Sequence, residues 1–239
     1  MALPKISAPI YDITLPVSKK IISFRPFLVK EQKILLMAME SGEKGVIESN
    51  IKQVLNNCLI SDIDIDTLPI VDIEYYFLQV RARSVGEVIE SKYRCENVVD
   101  DKKCNNLMET SFNLLDIQIE TPKELNNNIP LTNGVGIVLK YPTFEVLDRI
   151  QDIDSTTDVA FEVILDCIDY IYDNDSIYYA RESTKEELMT FLESLTKEQF
   201  DKIEEFMDNL PKLKKEINIK CSKCGFDHKI KVEGLQDFF

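Results

Sequence analysis

The chain has 239 residues, and its 44% hydrophobic and 29% charged content is that of an ordinary folded protein. The 42 acidic residues outnumber the 28 basic ones, so the formal net charge of -14 would repel the phosphate backbone of free nucleic acid. A single histidine excludes the HExxH metalloprotease helix, and the sequence has no GxxxxGKS/T phosphate-binding loop. These absences exclude most familiar enzyme classes, and we expect no enzymatic activity.

The sequence also predicts where the protein is found. No stretch approaches the roughly 18 uninterrupted apolar residues of a membrane span. The first residues lack the charged start and apolar run of a signal peptide. We therefore expect a reducing cytoplasm, where the six cysteines would be thiols or metal ligands rather than disulfides.

The N-terminal third is predicted to be an extended arm followed by helices. Residues 10–15 and 21–24 read as strands on either side of a turn, which indicates a hairpin or a docking arm. Apolar residues at helical spacing then predict three helices, at residues 27–41, 46–59 and 71–84. The aromatic residues of the third segment would also suit a strand.

Beyond residue 86 the pattern mixes strands with helices. The predicted strands are 87–94, 111–119, 135–139, 216–220 and 229–232. The predicted helices are 144–150 and 158–172. Two further helices are indicated by capping boxes, in which Thr184 precedes Glu187 and Thr196 precedes Gln199 by three residues.

The strongest local signal is the pattern of cysteines. Cys221 and Cys224 are separated by two residues and lie between alternating apolar runs, which is typical of a zinc knuckle, a hairpin turn that presents two thiolates. Structural zinc takes four ligands in a tetrahedron, and Cys95 and Cys104 at a second predicted hairpin tip supply the other two. We therefore predict that these four cysteines bind one Zn²⁺. Four protein ligands leave no position for water, so the metal would be structural rather than catalytic.

Charge supports this prediction, although alternatives remain open. Residues 212–231 contain seven lysines against one aspartate and one glutamate, and these cations would stabilise a negatively charged zinc–thiolate cluster. The CxxC pair could instead be a redox pair or part of a ribbon that has lost its metal, and His228 could replace one cysteine. Cys58 and Cys167 fall on apolar helix faces and are predicted to be buried thiols.

Together these patterns predict an α+β fold. We expect a mainly helical body and a small antiparallel zinc-ribbon-like β element formed by two distant hairpins. The predicted organisation has four parts. They are an extended arm and helical region at 1–85, the first half of the ribbon at 86–120, a mainly helical insertion at 121–211, and the second half with the C-terminal tail at 212–239.

Several short motifs occur in an order that resembles one family. They are Phe24-Arg25-Pro26-Phe27, the segment 72–81, Leu195-Thr196-Lys197-Glu198-Gln199-Phe200, Cys221-Ser222-Lys223-Cys224-Gly225 and Gly234-Leu235-Gln236-Asp237-Phe238-Phe239. The chain resembles the baseplate hub assembly protein family of T-even-type contractile-tailed bacteriophages. The resemblance implies a non-enzymatic protein needed to build the tail baseplate hub, as an assembly chaperone or a hub subunit. Its partners would be hub proteins, in the host cytoplasm during assembly and, for a subunit, in the virion tail baseplate.

Two questions about partners follow from the residues. The terminal aromatic pair, Phe238 and Phe239, is predicted to bind a partner or to cover the apolar face of the ribbon. The alternative function is a zinc-ribbon regulator that binds nucleic acid or a polymerase, because the C-terminal region is rich in lysine. The net charge of -14 argues against nucleic acid, and salt-dependent retention on DNA would be required of such a regulator.

Overall fold

The computed structural model of the chain describes residues 6–41, 44–120, 125–132 and 134–233. The helices are α1 (Val29–Ser41), α2 (Lys44–Cys58), α3 (Ile70–Ser84), α4 (Val146–Ile150), α5 (Thr156–Cys167), α6 (Lys185–Glu193) and α7 (Lys197–Asp208). In the N-terminal half, the strands are β1 (Tyr11–Thr14), β2 (Ile21–Phe24), β3 (Val88–Arg94), β4 (Val98–Val99), β5 (Lys102–Lys103), β6 (Leu107–Asn113) and β7 (Gln118–Glu120). The later strands are β8 (Asn128–Thr132), β9 (Val135–Leu139), β10 (Ile168–Tyr172), β11 (Ile177–Tyr179), β12 (Lys212–Lys220) and β13 (Asp227–Glu233).

All strand pairs named here are antiparallel. β1 pairs with β2, β3 with β6, and β4 with β5, each as a two-stranded sheet. A three-stranded sheet has the order β13-β12-β7, and a four-stranded sheet has the order β11-β10-β9-β8. Helices and strands are thus mixed along the chain, and the fold class is α+β, as predicted. Within the described residues, no helix is long and apolar enough to cross a bilayer.

The first hydrophobic core joins the two ends of the chain. Its N-terminal members include Phe24 and Tyr76, whose rings meet edge to face with centroids 5.5 Å apart. The Tyr76 hydroxyl donates a hydrogen bond to the carbonyl of Leu55 on α2, so its buried polar end is satisfied. Leu213 and Ile217 of β12 belong to the same core. The C-terminal sheet is therefore part of the N-terminal body rather than an appendage.

The second hydrophobic core lies between the four-stranded sheet and α5, α6 and α7. Ile137 and Leu139 of β9 and Ile203 of α7 are fully buried in it. Phe161 of α5 and Phe200 of α7 stack with ring centroids 5.5 Å apart at its edge. The chain between the two cysteine-bearing regions therefore has a core of its own.

Both predicted capping boxes are present. The Thr196 hydroxyl accepts from the N–H of Gln199, and the Gln199 side chain accepts from the N–H of Thr196 at 2.8 Å. Thr184 and Glu187 make the same reciprocal contacts at the start of α6. Each pair satisfies two N–H groups that the helix itself leaves without partners.

A Thr196→Ala variant is expected to lower the free energy of unfolding by about 1 kcal/mol, because the first turn of α7 loses its side-chain acceptor. Urea denaturation followed by circular dichroism measures this. Thr157 is exposed within α5, and Thr157→Ala is the matched control, with an expected change below about 0.5 kcal/mol. Equal effects of the two substitutions would contradict the capping role of Thr196.

Two predicted elements were wrong in extent. The helix predicted at 158–172 ends at Cys167, and Ile168–Tyr172 forms β10, which pairs with β9 and β11 at the centre of the four-stranded sheet. The strand predicted at 111–119 is interrupted by a 3-10 turn at Leu114–Asp116, because the Asn113 side chain accepts a hydrogen bond from the N–H of Leu115. The prediction of a mainly helical body is not confirmed, since region 121–211 contains the four-stranded sheet as well as helices. The domain boundaries stay a prediction.

Candidate metal centre

Two antiparallel hairpins place the four cysteines. β3 and β6 pair from Val88↔Asn113 to Arg94↔Leu107, so Cys95 follows one strand and Cys104 precedes the other. β12 and β13 pair as far as Lys220↔Asp227, and the turn beyond them carries Cys221 and Cys224. Each cysteine pair therefore lies at the tip of a hairpin, and the two tips meet.

A small inner hairpin closes the wide spacing between Cys95 and Cys104. β4 and β5 pair within this loop, and Asp100 and Asp101 at their turn have φ of 50° and 60°. Positive φ at both central residues is the geometry of a tight hairpin turn. The Cys104 N–H donates to the carbonyl of Asn97 at 2.8 Å, and this bond holds the inner hairpin beneath the thiols. The eight intervening residues thus form a tight structure that returns Cys104 to Cys95.

The second turn has the compact form of a zinc knuckle. The Gly225 N–H donates to the carbonyl of Cys221 at 2.9 Å, and the Cys221 N–H donates to the carbonyl of Phe226 at 2.9 Å. Gly225 has a φ of 74°, a conformation that a side chain disfavours. This glycine lets the chain reverse immediately after Cys224.

A Gly225→Ala variant is expected to lower the free energy of unfolding by about 1–2 kcal/mol, the cost of a left-handed backbone for a residue with a side chain. Among the described residues, no atom beyond Gly225 and its two chain neighbours lies within 4 Å of the position that the new Cβ would take, so the backbone conformation accounts for the loss. Gly225→Asn should cost less, because asparagine tolerates this conformation better. Urea denaturation compares the three proteins, and an alanine variant as stable as the wild type would contradict this reasoning.

The four sulfur atoms form one cluster. All of them lie within 4.8 Å of one another, with Sγ–Sγ distances of 3.6 Å for Cys95–Cys224 and 3.8 Å for Cys104–Cys221. Four sulfurs placed about 2.3 Å from a central ion in a regular tetrahedron would stand about 3.8 Å apart. Three of the cysteines are buried, and Cys224 is partly exposed. The spacing of the sulfurs therefore fits a single tetrahedral metal ion.

Side-chain amides and turn N–H groups favour the thiolate form at the cluster. Asn97 donates to the sulfur of Cys224, and Asn106 donates to that of Cys221 at 3.5 Å. Backbone N–H groups of the turn, first that of Cys224, lower the pKa of Cys221, whereas burial raises the pKa of Cys95. Thiolates are the metal-binding form of cysteine, so the turn favours the binding form of Cys221, and Cys95 would lose its proton when a metal binds.

His228 contacts the cluster without belonging to it. Its Nε2 lies 3.1 Å from the sulfur of Cys95, and its ring meets that of Phe226 edge to face. The group of ligand atoms that lie within 4.8 Å of one another contains the four cysteine sulfurs and not His228. An imidazole in this position is suited to hydrogen bonding with the sulfur of Cys95.

The other two cysteines lie in the hydrophobic cores, as predicted. Cys58 is fully buried in the first core and Cys167 in the second. Burial raises the pKa of Cys58 to about 11 and that of Cys167 to about 12. Both therefore stay protonated at neutral pH and act as small apolar side chains.

Comparison with known proteins identifies the family. The family model described as "T4 bacteriophage base plate protein" matches residues 8–239 of the chain. The chain belongs to this base plate protein family. It is also similar to the "Baseplate hub assembly protein gp26" of Enterobacteria phage T4, with 26% identity over 230 residues that cover 96% of this chain and 97% of that protein. No solved structure gives a significant match.

Two of the motifs that carry the family resemblance involve buried acidic side chains in this base plate protein. Arg25 of the first motif contacts Glu31, and Asp72 begins the segment 72–81. Glu31 is fully buried, and its carboxylate accepts from Arg25 Nη2 at 3.0 Å. Asp72 is also fully buried and accepts from the backbone N–H groups of Val17 and Ser18 at 2.7 and 2.8 Å. The burial of these two acids is not predicted from the sequence, because an isolated Asp or Glu on a predicted helix is typical of a surface charge.

The predicted partner-binding residues of this base plate protein, Phe238 and Phe239, lie outside the described residues. Their role stays a prediction.

Proposed function

We propose that this chain is a non-enzymatic phage tail protein needed for assembly of the baseplate hub, as an assembly chaperone or as a hub subunit. It would act through contacts with baseplate hub proteins, in the host cytoplasm during tail assembly and, as a subunit, in the tail baseplate of the virion. One observation carries the proposal: nearly the whole chain matches a base plate protein family, and a relative that aligns over 97% of its own length is named as a hub assembly protein.

A structural Zn²⁺ is part of this proposal. The four clustered sulfurs supply the complete ligand set of a structural zinc site, and the two hairpins would then form a zinc-ribbon-like element. Cys104 and Cys221 are 117 positions apart. If the relation for disulfides applies, a link across such a loop restricts the unfolded chain by about 4–5 kcal/mol. The ion would hold the hairpin of β3 and β6 against that of β12 and β13, and so keep the surface presented to a hub protein in one shape.

The charge of the chain indicates what kind of partner surface it meets. A net charge of -14 attracts a basic face and raises the rate of encounter with it. We expect the hub protein that binds this chain to present such a face. Association with hub proteins should therefore slow as salt increases, and stopped-flow measurements at rising ionic strength would show this.

Co-expression with the hub proteins of the same phage, followed by size-exclusion chromatography, tests the proposed role. We expect the chain to co-migrate with at least one hub protein. Mass spectrometry of purified phage particles then separates the two versions, because a hub subunit is retained in the virion and an assembly chaperone is not. The proposal would be contradicted if the chain co-migrated with none of the hub proteins in size-exclusion chromatography and were also absent from purified phage particles.

The second candidate is a zinc-ribbon regulator that binds nucleic acid or a polymerase, and the seven lysines of residues 212–231 favour it. Such a protein would be retained on DNA with a strong dependence on salt. Retention on DNA without co-migration with hub proteins would establish this alternative in place of the first.

A further inference from the structure

A cavity of about 350 Å³ lies at the end of β12 opposite to Cys221. Three segments form its wall: the start of α3, the residues that follow β9, and the connection from α7 to β12. Pro69, Pro142 and Pro211 each line it, and proline gives these segments a restricted backbone. The Ile70 N–H donates to the carbonyl of Pro142 at 3.0 Å and joins two of the segments. The shape of the cavity is therefore set by its own walls before a ligand binds.

One carboxylate stands in this apolar wall. Glu74, in the second turn of α3, lines the cavity with apolar neighbours that include Val71 and Leu213. Burial alone raises the pKa of Glu74 to about 7, and no hydrogen bond or charge from a described residue offsets that burial. An uncompensated carboxylate in apolar surroundings costs free energy, which an incoming cation recovers. The Glu74 carboxylate is therefore available to bind a ligand, since it has no hydrogen-bond or ion-pair partner among the described residues.

Two other titratable residues line the same cavity. Lys212 at the start of β12 is exposed, and within the described residues no salt bridge joins it to Glu74. Tyr141 supplies a half-buried aromatic ring from the segment that follows β9. The remaining described lining residues are proline, leucine, isoleucine and valine. The cavity thus combines one carboxylate, one aromatic ring and an apolar lining.

We propose that this cavity, with Glu74 as its anchor, binds an arginine side chain of a partner protein. A guanidinium donates two parallel hydrogen bonds to a carboxylate and also interacts favourably with an aromatic ring, here that of Tyr141. The apolar stem of the arginine would contact Ile70 and Leu210. The net charge of -14 draws a basic partner towards this face.

This inference rests on the proposed function in one respect, because it names the chemistry of the contact on a hub protein. The binding itself belongs to the isolated chain and is measured without any hub protein. The two proposals can therefore fail separately: hub proteins can co-migrate with a chain whose cavity binds no arginine, and the reverse also holds.

N-acetyl-L-arginine amide is the probe, titrated into the full chain while the side-chain carboxyl signal of Glu74 is followed by ¹³C NMR. We expect saturable binding in the millimolar range at pH 8. Glu74→Gln keeps the shape of the side chain and should weaken the affinity at least tenfold, which corresponds to about 1.4 kcal/mol. Binding should also weaken as the pH falls below about 7, because protonation of Glu74 removes the charge that the guanidinium meets.

Controls decide between arginine and other occupants. Glu193 is an exposed acid at the end of α6, and Glu193→Gln should leave the affinity unchanged. The neutral isostere N-acetyl-L-citrulline amide should bind at least tenfold more weakly than the arginine probe. Equal binding of the two probes, or an affinity that Glu74→Gln leaves intact, would overturn the proposal. Binding that is seen only in Lys212→Ala would also overturn it, because Lys212 itself would then be the cation of the cavity.

Discussion

A Cys221→Ser variant is expected to lose its bound zinc and, with it, the folded state of the chain. Cys221 is buried, and its sulfur lies 3.8 Å from that of Cys104 across a sequence separation of 117 positions. A link through the proposed zinc would, if the relation for disulfides applies, restrict the unfolded chain by about 4–5 kcal/mol, which approaches the whole stability of many domains, about 5–15 kcal/mol. Metal analysis gives the zinc content per chain, and circular dichroism in urea gives the fraction folded.

Chelation should reproduce the effect of the substitution, because zinc binding and folding are coupled when the ligands come from distant segments. Cys167 supplies the matched control, since it is as buried as Cys221 but lies in the second core. Cys167→Ala should lower stability and still retain about one zinc per chain. Folded wild-type protein that contains no zinc when purified without added metal would contradict the proposed metal site.

An Asp72→Ala variant is expected to lower the free energy of unfolding by about 3 kcal/mol. The Asp72 carboxylate is fully buried and accepts from the backbone N–H groups of Val17 and Ser18 in the turn between β1 and β2. A hydrogen bond to a charged group contributes about 1.5–3 kcal/mol, and alanine leaves both N–H groups without an acceptor. Urea denaturation measures the loss, and amide hydrogen exchange should show faster exchange at Val17 and Ser18.

Two substitutions serve as controls for Asp72. Asp62 is an exposed acid in the connection between α2 and α3, and Asp62→Ala should change the stability by less than about 0.5 kcal/mol. Asp72→Asn keeps one acceptor oxygen but turns an NH₂ group towards the other N–H, so its loss of stability should approach that of Asp72→Ala. If Asp72→Ala were as stable as Asp62→Ala, the carboxylate would not hold the hairpin turn against α3.

Local patterns were sufficient to predict the helices that begin with a side-chain capping box. The capping boxes at Thr184 and Thr196 are present as predicted, because the signal and the contact both lie within four residues. The segment Ile168–Tyr172 was predicted as helix and is a strand. Its isoleucines and tyrosines suit either structure, and pairing with β9, about 30 residues earlier in the chain, decides the outcome.

The candidate metal centre was accessible from the sequence only in its outline. The spacing of Cys221 and Cys224, with Cys95 and Cys104 at a second predicted hairpin tip, points to a ligand set, and the structure brings the four sulfurs within 4.8 Å of one another. The contacts of Asn97 and Asn106 with the sulfurs could not be predicted, because asparagine is an ordinary loop residue. The inner hairpin depends on Asp100 and Asp101 in left-handed conformations, for which Asp-Asp is a weak signal.

The first core has a consequence for synthesis on the ribosome. Its residues up to Ile117 emerge early, but Leu213 and Ile217 emerge about a hundred residues later. At about 5–20 residues per second, the nascent chain would expose this apolar surface for roughly 5–20 s before its C-terminal strands arrive. The second core is complete by Phe206, so the internal segment can fold during this interval, while the two ends of the polypeptide join last.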